Sequence, residues 1–145
     1  MRMLRLPDPE LRPEAHPGFA DIAESLKKGS RLLREAGIDL LVLLIPTKFR
    51  AMASSVTFDE KTLRQLRPLR LDRATWDVPA DRTLAPPLER LCAELDIPFV
   101  DATPRLRSSA ESGVLVYSPF DTHLSPAGHR VVADLIVETV TTRAN

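Results

Sequence analysis

Apolar residues recur at intervals of three and four along three stretches of the chain, which is the spacing of one face of an α-helix. The stretches are residues 17–36, 86–95 and from 126 onwards. Proline suits the first turn of a helix, and Gly37 follows the first stretch in a C-terminal cap position. The pattern therefore predicts three amphipathic helices. Their predicted core-facing residues are Phe19, Ile22, Ala23, Leu26, Leu32, Leu33 and Ala36, then Leu88, Leu91, Cys92 and Leu95, then Val131, Val132, Leu135, Ile136 and Val140.

A second pattern, almost without polar residues, occupies residues 38–45, the segment Ile-Asp-Leu-Leu-Val-Leu-Leu-Ile. It is too short for a buried helix and lies between Gly37 and Pro46, so it predicts a strand covered on both faces, as in parallel sheets. Residues 97–101 predict a second strand that ends at Asp101, since proline is tolerated near a strand start. Two parallel strands surrounded by helices indicate an α/β fold.

The remaining segments are less regular. Residues 1–16 contain three prolines among charged residues and predict an extended lead-in. Residues 46–84 predict an insertion or a loop packed over the sheet edge, with a short helix over 58–66, and residues 103–110 predict another helical turn. Because 145 residues suit one domain, we expect residues 17–145 to form a single α/β domain.

Composition narrows the classes of protein to consider. Acidic and basic residues balance at 20 each, so no net charge draws the chain to nucleic acid or to an anionic membrane. The single cysteine, Cys92, falls on an apolar helix face and predicts a buried structural thiol. The arginine cluster has acidic neighbours and no interleaved aromatic residues, which indicates a solvated face. That cluster comprises Arg64, Arg67, Arg70 and Arg73.

The sequence as written also lacks the marks of export. No stretch approaches the roughly 18 apolar residues of a membrane span. The first residues carry charge without the apolar run of a secretory signal. We therefore expect the chain as written to stay in the cytoplasm, where it is made.

Recognisable chemistry lies in residues 120–129, Phe-Asp-Thr-His-Leu-Ser-Pro-Ala-Gly-His, a predicted loop that leads into the last helix. A carboxylate two residues from a histidine can orient and charge-stabilise the imidazole, which leaves the other ring nitrogen free to accept a proton from a hydroxyl. Asp121 and His123 are therefore the candidate catalytic pair. A histidine base still needs a nucleophile or an activated water within hydrogen-bond reach.

Residues 121–133 resemble the last conserved block of the SGNH/GDSL hydrolases, which places an aspartate and a histidine before the closing helix. Residues 43–48 resemble a strand and loop of SGNH-like proteins of the acyl-modification type, and residues 97–101 resemble their final strand. The resemblance covers residues 17–142. Its most specific positions are Asp121, Thr122, His123, Pro126, Gly128 and His129.

This resemblance implies a partial flavodoxin-like parallel sheet with flanking helices, from which the N-terminal strands of an SGNH hydrolase are missing. It implies that His123 is the general base of a Ser-His-Asp triad and that Asp121 orients it. The substrate would be an acyl ester or an acetylated carbohydrate, and no cofactor is implied. The family's commonest spacing is Asp-x-x-His, whereas the Asp-x-His found here is similar to proteins related to alginate O-acetyltransferases.

The sequence departs from the family at the nucleophile. It contains no Gly-Asp-Ser motif, and its only asparagine is Asn145, so the family's nucleophile and oxyanion-hole blocks are absent. The pair Gly29-Ser30 falls inside a predicted helix, and Ser125 is better explained as a helix N-cap than as a nucleophile.

Other interpretations of the same residues stay open. Asp121 can bond turn amides, with His123 an ordinary loop histidine. A metal site would need Asp121, His123 and His129, but their spacing matches no recognised ligand pattern. Lys48 and Arg50 follow the first strand at the edge where α/β sheets bind ligands, so they are weak candidates for contacting an anionic substrate group, beside a solvent-facing role.

Two functions follow. The chain is the C-terminal portion of an SGNH hydrolase or O-acyltransferase and contributes the His and Asp of the triad, or it is a non-catalytic α/β module that pairs with a complementing chain or with its own copy. An unpaired strand edge would favour such self-association, which size-exclusion measurement detects. A Gly-Asp-Ser segment encoded just upstream would favour the first function.

Overall fold

The computed structural model describes residues 12–57, 60–61, 64 and 79–144 of the chain. These residues form a mixed α/β arrangement, which confirms the predicted fold class. Short 3-10 turns cover Pro13–Ala15 and Ala80–Arg82. The regular elements are α1 (Pro17–Glu35), β1 (Val42–Leu44), α2 (Lys48–Met52), α3 (Ala85–Glu94), β2 (Phe99–Asp101), α4 (Thr103–Glu111) and α5 (Pro126–Ala144).

Several predictions fall on residues outside the described part of the chain. Most of the lead-in lies there, as does most of the predicted helix over residues 58–66 and the segment around Trp76. Of the arginine cluster only Arg64 is described, and it pairs with Glu60 one helical turn away at 2.9 Å. None of the helices that the structure describes has the length and apolar character needed to span a bilayer.

Helix α1 begins and ends where the sequence predicts. The His16 ring accepts a hydrogen bond from the Gly18 amide at 3.1 Å, and Gly37 takes the positive φ of 69° that ends a helix. The face with least exposure is narrower than the predicted one, because Ile22 and Leu32 are 38% and 52% exposed. The less exposed face consists of Phe19, Ala23, Leu26, Ser30 and Leu33.

The two strands pair in parallel, as predicted, with Val42 opposite Phe99 and Leu44 opposite Asp101. Each strand has three residues, so both are shorter than the apolar segments that contain them. The expectation that the first strand is covered on both faces is wrong, since all of β1 is only half-buried. The described sheet has two strands, so β1 has a partner on one side only.

The described residues fall into two compact units. The first holds residues 12–40 and 79–97, and within it the Arg34 guanidinium donates to the Leu95 carbonyl at 3.0 Å. The thiol of Cys92 in α3 is fully buried, and burial raises its pKa. This supports a structural role for that thiol. The single domain predicted over residues 17–145 stays a prediction.

The second unit holds residues 41–57, 60–61, 64 and 98–144, and it contains both strands. Its core draws on α2, α4, α5 and the segment that joins α4 to α5. On α5 the partly buried apolar residues end at Ile136, so the predicted core position Val140 is 54% exposed. The buried core residues are Ala51, Met52, Ala102, Leu106, Ala110, Val116, Tyr117 and Val132.

The first turn of α5 is locked against the segment that precedes it. The Ser125 hydroxyl accepts from the Gly128 amide at 3.1 Å and donates to the Leu115 carbonyl, and the Ser125 amide donates to Val116 at 3.0 Å. Ser125 is therefore the N-cap that the sequence predicts. A Cβ atom on Gly128 would lie 2.0 Å from the Val116 carbonyl oxygen, so only glycine fits there.

We expect Gly128→Ala to destabilise the protein by about 2–3 kcal/mol or more, because the added methyl group meets backbone that cannot rotate away. Urea unfolding followed by circular dichroism measures the loss. The matched control is Gly29→Ala in α1, where an added Cβ has no neighbour within 4 Å. That change should stabilise the helix by about 0.5–1 kcal/mol. Equal unfolding midpoints for the two variants would contradict the close contact at Gly128.

Candidate functional site

The loop between Tyr117 and Leu124 carries the candidate pair on a closed backbone. Its ends form an isolated antiparallel bridge, and inside that bridge the Ser118 amide donates to the His123 carbonyl at 2.8 Å. Tyr117 is 2% exposed, and its hydroxyl donates to the Pro46 carbonyl at the exit of β1. The loop backbone is therefore tied to the sheet on one side and to α5 on the other.

The structure brings Asp121 and His123 together. The Asp121 Oδ1 atom lies 3.3 Å from the ring Nδ1 of His123 and accepts the His123 backbone amide at 2.9 Å. The His123 side chain is 84% exposed, so its ring can meet a group arriving from solution. The same carboxylate thus serves both interpretations, because it bonds a turn amide and also faces the imidazole.

Hydrogen bonds hold the pKa of the Asp121 carboxyl below its ordinary value. The largest cause is the hydrogen bond from the backbone amide of His123, and desolvation, the next largest, opposes it. Hydrogen bonds from the side chains of Ser118 and His123 and the charge of His123 lower the pKa further. Asp121 is therefore kept ionised, which is the state that can orient and stabilise an imidazolium.

Lys48 supports the loop from the other side. Its ammonium donates to the carbonyl of Ser118 at 2.6 Å and to the carbonyl of Asp121 at 3.0 Å. Lys48 is the first residue of α2, and Thr47 caps that helix by accepting the Arg50 amide at 3.4 Å. In the structure Lys48 holds the backbone of the Asp121 loop. That Lys48 and Arg50 contact a substrate weakly stays a prediction.

A cavity of about 480 Å³ adjoins the loop and is lined mainly by apolar side chains. Asp121 and Thr122 belong to its wall, as does Lys48. Its apolar wall includes Phe49, Met52, Ala53, Val56, Leu115 and Phe120. The volume falls within the range of about 300–1,000 Å³ that is typical of small-molecule sites.

The serines considered from the sequence are engaged in local structure. Ser125 caps α5, and the Ser30 hydroxyl donates to the Lys27 carbonyl at 3.1 Å inside α1. His129 lies exposed on the first turn of α5, with its amide bonded to Ser125 at 2.9 Å. Across the part of the chain that the structure describes, no three His, Cys, Asp or Glu side chains are grouped closely enough to hold a metal ion.

Sequence reasoning missed three parts of this site. It left α2 in an unassigned segment, although Thr47 ahead of Lys48 is a usable N-cap signal. It gave Ser118 no role, since a serine beside proline predicts only a turn. It did not find the cavity, because the wall combines residues 48–56 with residues 115–122, and no local pattern reports such a contact.

The model of a family described as an SGNH hydrolase-like domain, acetyltransferase AlgX, matches residues 7–145. No curated protein and no solved structure gives a significant match. The matched range includes both strands, the Asp121 loop and α5. It confirms the resemblance that the sequence predicts.

We expect His123→Ala to raise the pKa of the Asp121 carboxyl only part of the way to its ordinary value. The reason is that the largest cause of the lowered pKa is the backbone amide of residue 123, which an alanine retains. Carboxyl carbon chemical shifts followed against pH measure the change, and His129→Ala is the matched control that should leave the value unchanged.

The lowered pKa of Asp121 also determines the direction in which the stability of the fold changes with pH. A carboxyl whose pKa is lower in the folded chain stabilises the fold above its ordinary unfolded pKa and loses that contribution as the pH falls through the folded value. As the pH falls through that value, the free energy of unfolding should therefore decrease less in Asp121→Asn than in the parent chain.

For the pKa measurement on His123→Ala, a full return of the Asp121 pKa to its ordinary value would show that the ring, and not the amide, is the main cause of the lowered pKa.

Proposed function

Because this chain belongs to the family of SGNH hydrolase-like domains described as acetyltransferase AlgX, we propose that it supplies the histidine and aspartate of a Ser-His-Asp triad for hydrolysis or transfer of an acyl ester. The single observation that carries the proposal is the 3.3 Å approach of Asp121 Oδ1 to His123 Nδ1 in a loop whose backbone is fixed. The proposed substrates are acyl esters, including acetylated carbohydrates.

In the proposed reaction His123 is the general base. Asp121 accepts a hydrogen bond from the Nδ1–H group, which leaves Nε2 with a lone pair for the proton of a serine hydroxyl. The serine oxygen then attacks the ester carbonyl, the leaving alcohol takes the proton back from the imidazolium, and water or an acceptor hydroxyl repeats the sequence on the acyl-enzyme. The ionised Asp121 stabilises the imidazolium during both steps.

The serine is proposed to come from another segment or chain. The sequence contains no Gly-Asp-Ser motif, and Ser125 and Ser30 have structural partners. The exposed His123 ring supports this proposal, because an exposed base remains accessible to a nucleophile that another polypeptide brings.

We expect the chain alone to hydrolyse p-nitrophenyl acetate no faster than its His123→Ala variant, because a base without a nucleophile accelerates little. Initial rates at equal protein concentration measure this. A rate that depends on His123 in the isolated chain would show that the nucleophile lies within these residues.

The positive test joins the chain to the polypeptide encoded immediately upstream, if that frame carries Gly-Asp-Ser. In the combined protein His123→Ala should lower the rate of ester cleavage by about 10²–10⁴-fold, the usual contribution of a general base. His129→Ala is the control and should leave the rate unchanged. A combined protein that cleaves esters equally well without His123 would instead favour the non-catalytic assembly module, and so would an unrelated upstream sequence.

A further inference from the structure

The cavity beside the Asp121 loop has its charge on one side. Among the described residues, the charged members of its wall are Lys48 and Asp121. They are neighbours, since Lys48 Nζ lies 3.0 Å from the Asp121 carbonyl oxygen. Most of the remaining wall is apolar and includes Phe49, Met52 and Leu115. A ligand that fits this distribution has an apolar body and one polar end.

The two charged groups, Lys48 and Asp121, differ in their remaining capacity to form hydrogen bonds with a ligand. The Asp121 carboxylate already accepts from the His123 amide at 2.9 Å and lies 3.3 Å from that residue's ring. Among the described residues Lys48 donates only to two neutral carbonyls and forms no ion pair. An ammonium has three N–H donors, so Lys48 retains one. That donor suits a carbonyl oxygen, whereas the nearby Asp121 charge disfavours a free carboxylate.

We propose that this cavity binds the unbranched acyl chain of an ester longer than an acetyl ester, with the ester carbonyl at Lys48 and the alkyl chain along Phe49, Met52 and Leu115. An acetyl group has a single methyl and would leave most of the 480 Å³ unfilled. The inference rests on the proposed function in one respect, because the bound ester is taken to be the one that the His123 triad cleaves.

Binding to the full chain tests the proposal without requiring catalysis. Selective ¹³C-methyl labelling of methionine reports on Met52, which lies in the cavity wall, with Met1 and Met3 as the other two signals. Methyl hexanoate should shift the Met52 signal saturably, and methyl acetate should bind much more weakly, by about fourfold for each methylene no longer buried. Sodium hexanoate distinguishes an ester from a free fatty acid, and it should bind more weakly than the ester.

A matched pair of variants locates the site. Leu115 is 47% exposed and lies in the wall, whereas its neighbour Val114 is 39% exposed and lies outside it. Leu115→Glu should weaken methyl hexanoate binding at least tenfold, and Val114→Glu should leave it unchanged. His123→Ala should also leave binding unchanged, so loss of the base and loss of the cavity give different results.

Four outcomes would overturn the proposal. Methyl acetate binding as tightly as methyl hexanoate would remove the acyl-chain assignment, and equal effects of Leu115→Glu and Val114→Glu would remove the location. A Met52 shift that follows protein concentration, and that methyl hexanoate reverses by competition, would assign the cavity to a segment of a second copy. If hexanoate binds and its methyl ester does not, the ligand is a free fatty acid.

Discussion

The contact between the first turn of α5 and the backbone of Val116 determines where the candidate pair lies. Gly128 permits that contact, and Ser125 fixes it by bonding both the helix amide and the Leu115 carbonyl. Because residues 117–124 leave this contact at one end and return to it at the other, their backbone has little freedom. Asp121 and His123 are therefore presented from a stiff loop, while the imidazole itself stays open to solvent.

A stiff loop with an exposed imidazole suits a side chain that reacts only after a partner has bound. A side chain on a flexible loop would lose conformational entropy each time it formed a productive geometry. Here the loop is held by Lys48, Tyr117 and the bridge at Leu124 before anything binds. The Asp121 carboxylate is likewise kept ionised by amide and hydroxyl donors that are part of the fold.

The sequence predicts those parts of the fold that depend on neighbouring residues. The limits of α1 follow from Pro17 and Gly37, and the start of α5 follows from Ser125 and Pro126, because caps act within one turn. The short apolar segments predict strands but not their length, since only β2 decides which residues of β1 pair. The apolar face of α1 is predicted too wide and that of α5 too long, because residue periodicity does not reveal where a core ends. For the site, the Asp121–His123 pair follows from its spacing, whereas the Lys48 bonds join residues 70 or more positions apart.

The residues that follow β1 also hold the Asp121 loop, first through the hydrogen bond between Tyr117 and Pro46. Pro46, two residues beyond the end of β1, has no amide to donate, and its carbonyl accepts the Tyr117 hydroxyl. Two residues later, the Lys48 ammonium donates to the Ser118 and Asp121 carbonyls of the same loop. The two contacts with the loop thus come from residues two positions apart. An insertion or deletion between Pro46 and Lys48 would shift one contact relative to the other. Relatives that vary in length elsewhere should keep this short stretch at constant length.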